Sequence, residues 1–283
     1  MLELTLRQGK LIKKEKPPYQ LHRVEYGDPT KETLVILHGL GGTYRYWQTG
    51  LDKLTHKYHL VLIDLLGFGD SSKPWINYTK TQHLNALENN LADLNNFSMM
   101  GHSLGAALSL AYSSKHPQRV NRLILLSLPY FPSEKLAYSW MRRTPSGWLM
   151  TNMFTAVVTC MLTRWLVGKF LPRLLPEFPL AVAEDLLKHN VMSSTTSLWQ
   201  VLYDSTLLAD AKALDKSIPT LAIHAVDDDT APYNTVVSLI DDNNLSWILI
   251  SLQGCQHHPW LWKNEICIDH LVRFIDDDFS MNT

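Results

Sequence analysis

In Gly101-His102-Ser103-Leu104-Gly105 a serine has glycine two residues before and two residues after it, where the apolar run FSMMGH gives way to an alanine- and leucine-rich stretch. A serine in that context sits on a sharp strand-to-helix turn, because the small residues let strand and helix approach while the hydroxyl stands above the sheet edge. A hydroxyl is a weak nucleophile at neutral pH, so attack on a carbonyl also needs a base and an acid that orients the base. Both types follow in the chain order Ser, Asp, His: Asp227, Asp228 and Asp229 come after LAIHAV, and His257 and His258 lie in GCQHHP just beyond SWILISL. From the residues alone, Ser103 is the nucleophile, one of the three aspartates is the acid, and the loop at His257 supplies the base.

Acyl transfer places negative charge on the former carbonyl oxygen, which calls for two preorganised donors near the serine. Backbone amides supply them: that of Leu104, at the amino end of the helix after the turn, and that of Leu40, in the loop His38-Gly39-Leu40-Gly41-Gly42. This glycine loop is not a dinucleotide fingerprint, since Tyr44 occupies the position of the third glycine. His224, His257, His258 and His270 show no compact ligand spacing such as HExxH, so no metal and no cofactor is expected. Cys160, Cys255 and Cys267 form no CxxC pair and read as reduced thiols, with Cys255 a buried one beside the base loop. Asp64 is expected to serve loop hydrogen bonding.

The elements that must hold these residues alternate along the chain. LRQGKLIKKE and YQLHRVEYG suggest an opening hairpin; TLVILHG, HLVLIDLLG, FSMMGHS, RLILLSL, PTLAIHAV and SWILISL read as buried strands, separated by helix-patterned segments. The helix after Ser103 ends at Pro117. This alternation predicts an α/β fold with a mainly parallel sheet covered by helices. From Tyr130 onward the β runs stop and Trp, Leu and Met accumulate, so residues 130–211 are expected to form an inserted helical cap between two core parts, 1–129 and 212–283.

The chain resembles the α/β-hydrolase superfamily, in particular its capped esterase, lipase and C–C hydrolase branch, over nearly all of the sheet-forming sequence. HGLGG is similar to the family's oxyanion loop, IDLLGFGDSSKP to its loop after the next strand, and GHSLG to its nucleophile turn. The resemblance implies an eight-stranded sheet and a Ser103-His257-Asp228 triad. Residues 225–232 match the acid-loop pattern G-x-x-D-x-x-x-P with Ala225 for glycine, which selects Asp228; the G-x-G-H pattern of the base loop departs at Gln256, leaving His258 as competitor to His257. Leu66 departs from the polar residue or proline common after Asp64. A serine nucleophile argues against the haloalkane dehalogenases and epoxide hydrolases of this fold, which use a carboxylate.

Composition bounds the rest. A chain of 283 residues, 46% hydrophobic, with net charge −1, has the material for a large core and no field that would gather nucleic acid. Its first residues lack a secretory pattern, and a cytoplasmic monomer or homodimer is expected. Residues 136–176 contain no acid, while Arg142, Arg143, Arg164, Lys169 and Arg173 punctuate a segment rich in Trp140, Trp148, Phe154, Trp165 and Phe170. That composition suggests a lid with a greasy inner face for a lipophilic small-molecule ester, and peripheral membrane contact. The expected activity is that of a carboxylesterase or lipase-like serine hydrolase (EC 3.1.1.-). Its rivals are a thioesterase, a C–C hydrolase of a diketone-type acid held by Arg164 or Arg143, and a ligand-binding protein on the same fold.

Overall fold

The computed structural model describes residues 4–7, 10–13, 17–149, 151–162, 179–185, 188–203 and 206–276. Strands with apolar residues on both faces need cover on both sides. β4 (Thr33–Leu37), β5 (His59–Ile63), β6 (Phe97–His102), β7 (Val120–Leu126) and β8 (Thr220–Ala225) are of this kind and are buried along most of their length. They run parallel in the order β5-β4-β6-β7-β8, with β9 (Trp247–Leu252) parallel at one edge and β3 (Arg23–Tyr26) antiparallel to β5 at the other.

The main sheet therefore has seven strands among the described residues, not eight. The opening segment does not join it. β1 (Leu4–Arg7) pairs antiparallel with β2 (Lys10–Lys13) in a sheet of its own, because a connection of only Gln8 and Gly9 makes local closure the least costly pairing in entropy. YQLHRVEYG, expected as the second arm of that hairpin, instead supplies β3.

Side chains alternate between the two faces of the sheet. Val35, Leu37, Val61, Ile63, Met99 and Leu125 pack on one side with α2 (Lys80–Asn90) and α3 (Leu104–Lys115). Leu34, Ile36, Leu60, Leu62, Met100 and Leu126 pack on the other with α1 (Leu51–Thr55) and the carboxy-terminal α12 (Asn264–Ile275). In α12 the buried residues Cys267, Ile268, Leu271, Phe274 and Ile275 recur at helical spacing and form one apolar stripe. Between β7 and β8 the described residues form helices and turns and no strand: α4 (Glu134–Met141), α5 (Pro145–Leu149), α6 (Met153–Leu162), α7 (Leu180–Asp185), α8 (Val191–Ser197) and α9 (Leu207–Ala213). α10 (Tyr233–Asp242) and α11 (Pro259–Trp262) complete the set.

The order of strands fixes where a site can form. β5 lies on one side of β4 and β6 on the other, so successive connections diverge there and open a crevice at the carboxyl ends. Leu37 is level with Gly101, and Ala225 with Leu252. The glycine loop thus emerges beside the Ser103 turn, and the aspartate loop beside the histidine loop.

The close approach at the turn is testable. A Cβ on Gly101 would lie 2.3 Å from the Gly105 carbonyl, whereas one on Gly254 would meet nothing within 4 Å and carry only the strain of φ +70°. Gly101→Ala should cost about 1–3 kcal/mol from overpacking against backbone, and Gly254→Ala about 1 kcal/mol from its left-handed conformation. Thermal melts of the two variants should rank them in that order.

Candidate active site

Ser103 has φ 52° and ψ −114°, a conformation that costs energy in any non-glycine residue and persists only where its surroundings enforce it. Three contacts do so. The Ser103 amide donates to the Leu126 carbonyl at 2.9 Å, the Ser103 carbonyl accepts from Ala107 at 3.0 Å to begin α3, and the backbone at Gly105 lies against β4, where a Cβ would come within 2.5 Å of the Leu37 carbonyl. The hydroxyl is left at the junction of strand and helix, buried but not enclosed.

His257 reaches it from the loop after β9. Its Nε2 lies 2.9 Å from Ser103 Oγ, and its Nδ1 lies 2.8 and 3.1 Å from the two Asp228 oxygens. Gln256, standing where a glycine is common, has φ 46°; its exposed side chain leaves that left-handed residue free of steric conflict beyond its own backbone strain. His258 faces elsewhere: its Nδ1 lies 3.5 Å from the Tyr46 hydroxyl, and burial followed by the neighbouring His257 pushes its imidazole down to about 3.

The three aspartates have three different partners. Asp227 accepts from the Gly254 amide at 3.1 Å, tying the two loops together. Asp229 offers its backbone carbonyl to Trp140 Nε1 at 2.7 Å. Asp228 is buried and accepts from the amides of Thr230 and Ala231 at 2.9 and 2.8 Å, besides facing His257. A second imidazole, that of the buried His224, lies 3.3 Å away and also donates to the Ala231 carbonyl at 2.9 Å. Burial alone would raise the Asp228 carboxyl, but the His257 and His224 rings outweigh it and hold the group well below the usual carboxylate range.

Leu40 and Leu104 are the two remaining expected positions. Neither amide donates to an acceptor among the described residues. The loop carrying Leu40 is held by His38, whose Nδ1–H donates to the Gly39 carbonyl at 2.7 Å while Nε2 accepts from the Leu65 amide at 2.9 Å. That pairing fixes one neutral tautomer, and burial likewise lowers the His38 pKa. Asp64 spends its oxygens on the amides of Tyr44 and Asp70, at 2.7 and 2.9 Å, and on His22 at 3.1 Å. His22, Asp64 and Asp70 are also the described residues whose ligand atoms come close enough for one ion, but both Asp64 oxygens are already engaged by backbone. The Cys255 thiol is buried and pushed up to about 11, which leaves it a poor nucleophile.

Reasoning from sequence assigned no role to two residues that organise this site. His102, between the glycine and the serine, donates from Nε2 to the His257 carbonyl at 2.7 Å and stacks on Tyr46 at 4.7 Å. It fits because Gly39 has no side chain, where a Cβ would lie 2.7 Å from His102 Nδ1. His224 entered the sequence reading only where a metal site was ruled out. Its signal was present in position, since it lies on β8 four residues before Asp228, but a lone buried histidine is ordinary without coordinates.

The expected inner lining of the inserted helices is only partly described. Trp140 turns to the aspartate loop, whereas Trp148 and Phe154 are exposed and so do not form that lining. Arg143 is exposed, its guanidinium 3.9 Å from the Trp140 ring centre. Arg164, Trp165, Lys169, Phe170 and Arg173 lie outside the described residues, and so does the side chain of Cys160.

Two imidazoles beside one carboxylate give a direct test. In a carboxyl-carbon NMR titration Asp228 should show no step near the ordinary value of about 3.9, remaining ionised to lower pH. His224→Phe removes one stabilising partner and should move the step upward; an unchanged titration would mean His224 does not act on the carboxylate.

A profile of the alpha/beta hydrolase fold family matches residues 32–263. Over 108 residues the chain is 35% identical to the probable lysophospholipase BODYGUARD 4 of Arabidopsis thaliana, covering 36% of this chain and 26% of that one. Over 124 residues it is 32% identical to a 1-acylglycerol-3-phosphate O-acyltransferase of the same plant, covering 41% of this chain and 30% of that one. These matches thus span less than a third of either relative. A solved carboxylesterase of Nitrososphaera gargenis superposes with a TM-score of 0.73 at 17% identity, over 93% of this chain and 98% of that one, a likeness of fold. With the matched region running from just before β4 to the end of α11, the chain belongs to the alpha/beta hydrolase fold family.

Proposed function

We propose that this protein is a serine hydrolase that cleaves a lipophilic carboxylic ester through an acyl-enzyme. The observation that carries the reading is the continuous relay from Ser103 Oγ through His257 to Asp228, with 2.9 and 2.8 Å links. In this mechanism His257 Nε2 takes the hydroxyl proton as Ser103 Oγ attacks the ester carbonyl, while the Leu40 and Leu104 amides hold the oxyanion. Asp228 keeps the ring oriented and stabilises the imidazolium. The imidazolium then gives its proton to the departing alcohol. Water, deprotonated by the same nitrogen, attacks the acyl group, and the returning proton restores Ser103.

The inserted helices act as a cap in this reading. α7 and α8 both reach the loops at the carboxyl ends of the strands: Asp185 accepts from Thr43 and Arg45, and the Ser193 hydroxyl donates to the Gly67 carbonyl at 2.8 Å. A lipophilic acyl part agrees with the names of the two plant relatives, which act on glycerolipids by those names. The exposed placement of Arg143 on Trp140 removes it as the cation that would face the serine in hydrolysis of a diketone-type acid. No helix among the described residues is long and apolar enough to cross a membrane.

Turnover of p-nitrophenyl esters over a range of acyl lengths tests the proposal. Ser103→Ala should lower kcat by at least about 10³-fold and Asp228→Asn by about 10⁴-fold, with Asp227→Asn and Asp229→Asn close to wild type. Full activity in Ser103→Ala, or an aspartate ranking led by Asp227, would sink the assignment. The pH profile gives an independent check. Because the depressed Asp228 carboxyl stays ionised through the mildly acid range, it should add no step of its own to the acid side of the kcat profile; two acid steps would contradict this.

A further inference from the structure

α6, with the sequence MFTAVVTCML, carries no charged side chain. Ala156 on its inner side is fully buried, yet Phe154 is 75% and Met161 57% exposed. Those two are seven residues apart, two turns, and so lie on one face with Val158 between them. Trp148 of α5, which packs beside α6, is 55% exposed. A surface helix ordinarily turns polar residues outward, and single exposed apolar residues need no explanation. Three large ones on adjoining helices, on an element with no charged residue, do.

Charge identifies the occupant. Residues 134–162 contain Lys135, Arg142 and Arg143 against one acid, Glu134, in a chain whose net charge is −1, so the positive excess is local. All three cations are exposed. Arg142 Nε lies 3.5 Å from the Thr151 hydroxyl, which donates to the Trp148 carbonyl at 2.8 Å, and this places the guanidinium at the turn joining α5 to α6. Tryptophan, apolar side chains and cations in excess of acids match the chemistry of a bilayer interface, in which rings and methylenes enter the acyl boundary and cations meet phosphate.

We propose that α5 and α6 form a docking surface for an anionic phospholipid bilayer, with Trp148, Phe154 and Met161 entering the interface and Arg142, Arg143 and Lys135 contacting headgroups. None of these side chains belongs to the Ser103-His257-Asp228 relay, so binding is independent of the hydrolase reading and is measured without turnover.

The test is co-sedimentation of the full chain with vesicles of equal parts phosphatidylglycerol and phosphatidylcholine, against vesicles of phosphatidylcholine alone. The wild type should bind the anionic vesicles preferentially and release as salt is raised. The double variant Trp148→Ser, Phe154→Ser should lose at least about tenfold in partitioning. Arg142→Gln, Arg143→Gln should lose about fivefold per charge removed together with part of the salt dependence. Both should retain wild-type melting and turnover of p-nitrophenyl acetate. Absence of wild-type sedimentation at low salt, or equal binding to both vesicle types, would overturn the proposal. So would a large drop in melting temperature of the Trp148→Ser, Phe154→Ser variant without vesicle binding by the wild type, which would mean that this face is covered by the chain's own residues. A concentration-dependent dimer abolished by Phe154→Ser would overturn it in favour of a second copy.

Discussion

The site depends on one contact between backbones. α3 begins directly at the carboxyl end of β6 and lies so close to both β6 and β4 that neither Gly101 nor Gly105 has room for a methyl group: the added carbons would lie 2.3 Å from the Gly105 oxygen and 2.5 Å from the Leu37 oxygen. This proximity forces Ser103 into a left-handed conformation, lifts its hydroxyl clear of the sheet and sets the open amide of Leu104 beside it. It also places the first turn of a buried helix, with its unpaired N–H groups and positive end, beside the Ser103 hydroxyl, the position the proposed oxyanion contact requires. The same compression determines what else fits: the His102 ring lies over Gly39 because that residue, too, offers only hydrogen.

Given the serine, the remaining polar groups follow from the cost of burying charge. Asp228 is a carboxylate with almost no access to water, and such a group is tolerated only when its lone pairs are occupied. Two amides of its own loop and two imidazoles accomplish this. The nearby His102 and His258 rings are held neutral by burial. The pocket of histidines thereby avoids accumulating positive charge, and of the two rings beside the carboxylate only His257 also meets Ser103.

Most of the fold was legible because buried parallel strands leave continuous apolar runs, and six such segments in the sequence correspond to β4 through β9. The opening hairpin was misplaced for an equally physical reason. Periodicity shows that a segment is β-like but not which strand it joins, and only loop length distinguished β1 with β2 from β3 with β5. The strand-to-helix turn at Ser103 was legible from its glycines. The residues alone did not choose among Asp227, Asp228 and Asp229, since all three are the same residue in one loop and differ only in the direction each turns: toward Gly254, toward His257, and toward solvent with its carbonyl on Trp140; the choice of Asp228 came from the resemblance of residues 225–232 to the family's acid loop. His102 and His224 act through a backbone carbonyl and through the Asp228 oxygen that His257 also approaches, relations that leave no spacing rule in the chain.

The inserted helices share the apolar packing of the core, through Ala137, Val182, Leu207 and Ala211, but α7 and α8 add a second kind of fastening, and this bears on their role. They also meet α2 and the loops of the sheet through polar groups. Asp185 takes Arg45 Nε at 2.8 Å, the Thr43 hydroxyl and Lys188, Thr196 accepts from the Tyr78 amide at 2.8 Å, and Ser197 meets His83 at 2.9 Å. Burial alone would raise the Asp185 carboxyl, and these donors hold it ionised below its ordinary range. A buried ion pair adds little net stability over apolar packing, because desolvation offsets most of the attraction. What it does impose is geometry: the pair is satisfied in one arrangement, and displacement by an ångström or two leaves a charge unpaired. Thr43 and Arg45 directly follow the glycine loop that presents the Leu40 amide. The polar joint therefore sets the position of the inserted helices against the loop bordering Ser103, so that a shift in one is felt at the other.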